Sequence, residues 1–245
     1  MHKLLDQLKK IDAITAITMD QHHDHTLSVF GHTKHEIHTI KNLINNVNFP
    51  LNHDVEEDAI TVDHEMYTIV YQSMDDMVHQ LNRTLFEHIP SLSCTTCLWH
   101  HLLYDPILFD RHDHYKKIQK RFTLSYKNRL TERIIDQGLH LLSDHPQSLY
   151  RKLTQAYRNH QSFEIMRLTP IIIGVMIDMW FAVKQQTYPS VQHAIDQLSI
   201  SKDSRDIDFH QQLSLMMIMK DEWTDQRLVC DRLLFLLKQE IESMK

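Results

Sequence analysis

Leu168-Thr169-Pro170-Ile171-Ile172-Ile173-Gly174-Val175-Met176-Ile177-Asp178-Met179-Trp180-Phe181-Ala182-Val183 is apolar on every side of a helical wheel. Thr169 has the hydroxyl of an N-cap, and Pro170 suits the first helical position, where its missing N–H costs nothing. A helix without a polar face has to be surrounded by protein. A membrane span needs about 20 apolar residues, and this run is shorter and carries Asp178. The stretch therefore reads as the buried centre of a helical bundle. Gly174 costs roughly 1 kcal/mol relative to Ala inside a helix, so it is expected to admit another helix at close range.

The residues that follow Pro106 show only helical spacing. Helices are expected over 115–142 with a break near Phe122, and over 147–160, 170–186 and 189–198. A last one is expected from Asp208 to the end, broken near Asp221. The residues that precede Pro106 differ. Ala13–Met19, Thr26–Phe30, Ala59–Val62 and Met66–Tyr71 are rich in β-branched residues and read as strands, the last two as a hairpin. Short helices begin the chain, follow Lys34, and follow Ser73, a candidate N-cap with Asp75 and Asp76 in the first turn. Leu98–Tyr104 fits helix or strand, and Asp105-Pro106 is a turn. The expected fold class is α+β: a small mixed sheet with helices over residues 1–112, then an all-helical bundle over 113–245.

The 245 residues are enough for one large or two small domains. Three glycines and six prolines leave little room for turn-rich β architecture, or for a glycine-rich phosphate loop. A formal net charge of −6 argues against a general nucleic-acid or membrane surface. Three cysteines and a first stretch, MHKLLDQLKK, without the apolar core of a signal peptide give a cytoplasmic location as the expectation.

The 20 histidines, spread from His2 to His210, are the most unusual count. His32, His35 and His38 recur every three residues, so on a helix they share a face. That face could hold Zn²⁺ or Ni²⁺ with His22, His23 or His25 as a fourth ligand; a solvated helix face is the ordinary alternative. Cys94-Thr95-Thr96-Cys97 has metal or redox spacing, but a structural zinc site needs a second such pair. A redox pair opens a helix in a βαβ unit, which the pattern does not supply, so two buried reduced thiols are the plainer reading. Asp206 and Asp208 stand at cation-binding spacing if on a strand, and Asp208 reads as a helix cap if between helices. Asp178 is the best single candidate for a functional acid, because an unpaired buried carboxylate has a raised pKa or costs several kcal/mol. The alternative is an ion pair with Arg151, Arg158 or Arg167.

The order of elements, with Met66–Ser73 followed by Met74–Met77, then Leu102-Leu103-Tyr104-Asp105-Pro106, then the Leu168–Val183 helix with Tyr188-Pro189 after it, resembles the small-molecule nucleotidyltransferases. These include antibiotic-modifying enzymes of the kanamycin and lincosamide type. The resemblance implies a catalytic domain whose last strand and turn are Leu102–Pro106, and a helical domain that binds the acceptor. It also implies a Gly-Ser turn after the first strand, Asp-x-Asp on the next and a third Asp further on, which together grip a triphosphate and two Mg²⁺ ions. This chain departs from that pattern. Asp20–His25 follows the first strand without Gly-Ser, Thr26–Phe30 has no acid, and Thr68 is the polar residue nearest the third position.

The expected function is therefore a nucleotidyltransferase-like protein, catalytically degenerate, acting by binding or regulation. The alternatives are an active transferase with an atypical acid set such as Asp20, Asp24 and Asp63, with Mg²⁺ and nucleotide as cofactors only in that case, or a histidine-rich metal- or pH-responsive binding protein. A small molecule or nucleotide is the expected ligand, and Asp178 would face it if the halves are arranged as the resemblance implies. The apolar residues Leu213–Met219 and Leu228–Leu237 exceed one helix face, and a homodimer would bury the surplus.

Overall fold

The computed structural model describes residues 1–21, 25–45, 52–53, 57–62, 64–143, 145–218 and 223–244. The chain divides into two compact units. One comprises residues 1–83 and 99–124, the other residues 84–98 and 125–245. The expected single junction at 112 is replaced by three crossings.

In the first unit, helix α1 (His2–Leu8) precedes strands β1 (Ala16–Met19) and β2 (Thr26–Gly31), an antiparallel pair. Helix α2 (Lys34–Asn45) follows, then β3 (Asn52–His53), β4 (Glu57–Val62) and β5 (Glu65–Ser73). The expected hairpin forms, with Val62 opposite Glu65. β5 returns parallel to β2, which makes the sheet mixed. Helix α3 (Met74–Leu85) has the expected N-cap, the Ser73 hydroxyl accepting from Asp76 N at 3.3 Å. Helix α4 (Cys97–Tyr104) and strand β6 (Ile107–Asp110) follow, and β6 joins the far side of β1. The strand order is β3-β4-β5-β2-β1-β6. Leu102–Tyr104 is thus helical, and the strand expected there begins after Pro106. Ile107, Leu108 and Phe109 form a short apolar run, half-buried throughout, while Leu98, Trp99, Leu102 and Leu103 keep the three- and four-residue spacing of a short helix.

Period-two alternation separates the two faces of the sheet. Leu27, Val29, Ile60 and Ile69 are fully buried and belong to one core with Leu4, Leu5 and Leu8 of α1 and Ile40 and Ile44 of α2. Asp58 is also buried, with Lys41 Nζ of α2 at 3.7 Å. The alternate positions, Thr26 and Ser28 on β2 and Thr68 and Gln72 on β5, are half-buried. After β6, a single 3₁₀ turn (Arg111–Asp113) leads into helix α5 (His114–Arg121). Asp110 accepts from Tyr115 N and Lys116 N at 2.9 Å each, satisfying first-turn donors of that helix.

The second unit contains α6 (Asn128–Leu142), α7 (Leu149–Arg158), α8 (Ser162–Val183), α9 (Val191–Ser199), α10 (Ser204–Met217) and α11 (Trp223–Ser243). α8 is the expected buried centre but starts eight residues before Pro170, which lies inside it. Thr169 is no cap: its hydroxyl donates to Ile165 O at 2.8 Å within the helix. Pro170 is tolerated because it lies on an exposed side with Met166, so water can satisfy the carbonyl it leaves without a donor. α6 and α7 pack against α8.

Gly174 is needed for close approach, though of a loop rather than a helix: an added Cβ would stand 2.9 Å from Ser93 Cβ. Ala at this position gains about 1 kcal/mol of helix propensity but forces the Ser93 segment outward. We expect Gly174→Ala to lower stability by about 1–2 kcal/mol net in urea titration; a stabilised variant would show that the loop yields freely.

The caps at the C-terminal end differ from expectation. Asp203, not Asp208, caps α10, accepting from Arg205 N at 2.9 Å. Asp206 accepts from Trp180 Nε1 at 2.8 Å, while Asp208 accepts from Arg232 Nη2 at 2.9 Å, so the two carboxylates part company. Of the apolar surplus, Leu213, Met216, Leu233, Leu236 and Leu237 are buried, whereas Leu215, Met217, Ile218, Leu228 and Phe235 are exposed.

Candidate functional site

In the first unit, polar side chains gather where β1 ends and β6 begins. Asp20 follows β1 directly, its N–H donating to Thr26 O at 3.0 Å, which closes the start of the β1–β2 connection. Met19 N donates to Pro106 O at 3.0 Å and brings the Asp105-Pro106 turn alongside. Asp105 ends α4, its N–H reaching His101 O at 3.0 Å. Helical spacing of four places His101 on the same face as Asp105, and its Nδ1 lies 3.1 Å from Asp105 Oδ2. Gln21 completes the group, with Nε2 at 2.7 Å from His100 Nε2 and its backbone N–H directed at Asp105 Oδ1, 3.5 Å away.

Ligand atoms of Asp20, His101 and Asp105 all lie within 4.8 Å of one another, with Asp105 buried and the other two half-buried. Ligand atoms about 2.1 Å from one cation stand roughly 3–4 Å apart, so a small closing movement would seat a divalent ion. Two carboxylates and one imidazole suit Zn²⁺ or Mn²⁺. The negative charge of Asp105 is felt locally: burial first, and then Asp105, push the Tyr115 hydroxyl above its usual pKa.

No family model matches the chain. No curated protein matches it either. Among solved structures it is similar to a nucleotidyltransferase-like protein from Exiguobacterium sibiricum 255-15, over 98% of this chain and 74% of that one, at 9% identity and a TM-score of 0.45.

Of the acids expected to act together, Asp20 belongs to this group, while Asp24 and Asp63 lie outside the described residues. His32, His35 and His38 do not converge. His32 sits in the turn before α2, edge-on to His114 at 4.9 Å, while His35 and His38 are exposed on α2. Asp20, His101 and Asp105 are the single close triad of such ligands among the described residues. His22 and His23 also lie outside the described residues, and His25 packs edge-on against Tyr67. His101 and Asp105 went unrecognised as site residues because the helix–strand ambiguity of Leu98–Tyr104 hid their spacing; the His-x-x-x-Asp pattern carries the signal once α4 is helical.

Asp178, in the second unit, is 4% exposed, and no ion pair joins it to an arginine among the described residues. Its carboxylate accepts from Thr95 Oγ1 at 2.6 Å and from Thr95 N at 3.3 Å. Arg167, one of the three expected partners, instead bonds Glu164 on the exposed side of α8. Arg151 and Arg158 line a different cleft, of about 820 Å³, with Arg227, Lys238 and Asp231. Burial pushes the Asp178 carboxyl up to about 7, although the Thr95 hydrogen bonds oppose the shift. Cys94 and Cys97, expected as two buried thiols, are exposed and half-buried respectively, whereas Cys230 is buried as expected.

Proposed function

We propose that this chain is a nucleotidyltransferase-like protein that binds a small molecule or nucleotide without transferring a nucleotidyl group. The supporting observation is the half-buried face of the sheet. The strand that would bear Asp-x-Asp presents Thr26 and Ser28, and Thr68 on β5 is paired directly with Thr26. Three neutral hydroxyls cannot offset the charge of two cations on a triphosphate, so in-line displacement lacks its clamp. A hydroxyl-lined face can still accept and donate hydrogen bonds to a sugar or base.

One observation favours a second reading, an active enzyme with an atypical acid set: Asp20 converges with Asp105 and His101. The two readings separate in one experiment. The purified chain is incubated with ATP or GTP, Mg²⁺ or Mn²⁺ and a panel of hydroxyl-bearing acceptors, and pyrophosphate is measured. The binding reading expects no release above the protein-free rate, with a rise in melting temperature on adding nucleotide or an acceptor. Release abolished by Asp20→Asn or Asp105→Asn would overturn it in favour of the second. No release and no thermal shift with any compound would leave it without a ligand and defeat it.

A further inference from the structure

Cys94-Thr95-Thr96-Cys97 belongs neither to the hydroxyl-lined sheet face nor to the Asp20 group, and its surroundings are not those of inert thiols. Cys97 is the first residue of α4, so the pair opens a helix of eight residues. The loop before it is part of the second unit and is fastened within it. Ser91 Oγ accepts from Cys94 N at 3.3 Å, Thr95 bonds Asp178 of α8 twice, and Thr96 Oγ1 accepts from Tyr188 N at 3.2 Å. The Tyr188 hydroxyl donates to the Ser93 carbonyl and lies 3.3 Å from Cys94 Sγ. Cys94 and the Tyr188 hydroxyl both act on the titration of the Cys97 thiol, Cys94 raising its pKa and Tyr188 lowering it.

The two cysteines differ in access. Cys94 is exposed and can meet a reagent, whereas Cys97 is half-buried. The titratable groups facing Asp178 are Cys94 and Cys97 in the loop, Tyr126 in the segment before α6, and Tyr188 after α8. None of these is cationic. The hydrogen bond with Cys94, then burial, then the Cys94 and Asp178 charges hold the Cys97 thiol above its ordinary pKa. Such a thiol needs a nearby base to act near neutral pH, and the Asp178 carboxylate is held inside this loop by Thr95, which lies between the two cysteines and bonds it at 2.6 and 3.3 Å.

We infer that Cys94 and Cys97 form a reversible dithiol–disulfide site that exchanges with a low-molecular-weight disulfide, with Asp178 as the proton acceptor for Cys97. The Cys94 thiolate attacks one sulfur of the small disulfide, and that disulfide's other half leaves as a thiolate and takes up a proton. Cys97 then passes its proton to Asp178 and attacks Cys94 Sγ, breaking the mixed disulfide and releasing the second small thiol. The protein dithiol loses two electrons and two protons, and the small disulfide becomes two thiols. In the reverse direction Asp178 returns the proton to Cys97 as the bond is reduced. Cys230 has neither access nor a partner thiol: burial holds it at about 12, with Asp231 adding to the shift.

The test uses the full chain, with glutathione disulfide as the probe and dithiothreitol as the reductant. Oxidation should lower the protein mass by two hydrogens, peptide mapping should place the bond between Cys94 and Cys97, and dithiothreitol should reverse it. Cys97→Ser should instead trap glutathione on Cys94, and Cys94→Ser should react at least about tenfold more slowly. Asp178→Asn should close the disulfide about tenfold more slowly at pH 7.5 and lose the rise in closing rate around pH 7. Failure of the wild type to form the bond, or glutathione carried on Cys230 in its place, would overturn the proposal. A serine variant that fails to fold leaves the wild-type mapping and the iodoacetamide rate to decide: Cys94 must be the fastest of the three thiols to be alkylated, and any other order counts against it.

Discussion

Replacing Lys184 with Met is expected to cost the second unit about 2–4 kcal/mol, the largest loss we anticipate from a single side chain. Lys184 Nζ lies 2.9 Å from Asp203, 3.2 Å from Glu240 and 3.4 Å from Asp206. Glu240 is 4% exposed, so an uncompensated charge there would be nearly dry. Burial works against the Lys184 charge, but the hydrogen bonds it donates to Asp203 and Glu240, with the Asp206 charge, outweigh it and hold its pKa high. A raised lysine contributes stability that is fully present below its unfolded pKa and lost as pH rises through the folded value. Asp203, held low first by its hydrogen bond to Lys184, contributes stability that is present above its unfolded pKa and lost as pH falls through the folded value. Near pH 7 both contributions are complete, so urea unfolding at pH 7 reads the whole effect. Arg205 also bonds Glu240, at 2.6 Å, but is half exposed, so Arg205→Ala should cost about 1 kcal/mol or less. Equal losses in the two variants would refute the central place given to Lys184.

Asp178→Asn should have the opposite sign. The carboxyl titrates at 3.8 in the reference state and at about 7 in the fold, and one unit corresponds to about 1.4 kcal/mol. Between those values the native chain holds a proton that the unfolded chain has lost, so stability falls as pH rises through the window and levels off above it. Asparagine keeps an acceptor for Thr95 and has no such titration. Its stability relative to wild type should therefore rise by about 2–3 kcal/mol between pH 4.5 and pH 8. A variant less stable at pH 8, or a difference that does not change with pH, would mean that the carboxylate is stabilised by a cation after all. An arginine partner for Asp178 implies a loss in that variant; with threonine as the partner, a gain is expected.

The strands and helices are legible where periodicity and chemistry agree. Tyr67, Ile69 and Tyr71 alternate with Thr68, Val70 and Gln72, and β5 forms over them. Ser73 before Asp75 and Asp76 marks the start of α3. Pro170 misleads because proline is strongly disfavoured in helix interiors, and the exposure of Met166 and Pro170, which eases that cost here, cannot be seen in a string of residues. Asp20 can be picked out as an acid after a strand. Its partners His101 and Asp105 are 81 and 85 residues away, a distance bridged by β6 pairing with β1, and nothing local announces that pairing. The same holds for Asp178 and Thr95, separated by 83 residues.

The three crossings between units bear on how the chain is made. No single cut separates them. A break at residue 112 would remove Tyr115 and Phe122, both buried within the first unit, and with them the carbonyl that receives Trp99 Nε1 at 2.8 Å. During vectorial synthesis the first unit has all its residues by 124, while the loop bearing Cys94 and Cys97 has already emerged without α8. Until Asp178 and Tyr188 are translated, the loop lacks the carboxylate that receives Thr95 and the backbone N–H that reaches Thr96. Oxidation in that interval would close the pair before the loop is seated. The order of translation therefore leaves this loop without its bonds to Asp178 and Tyr188 until both residues have been made.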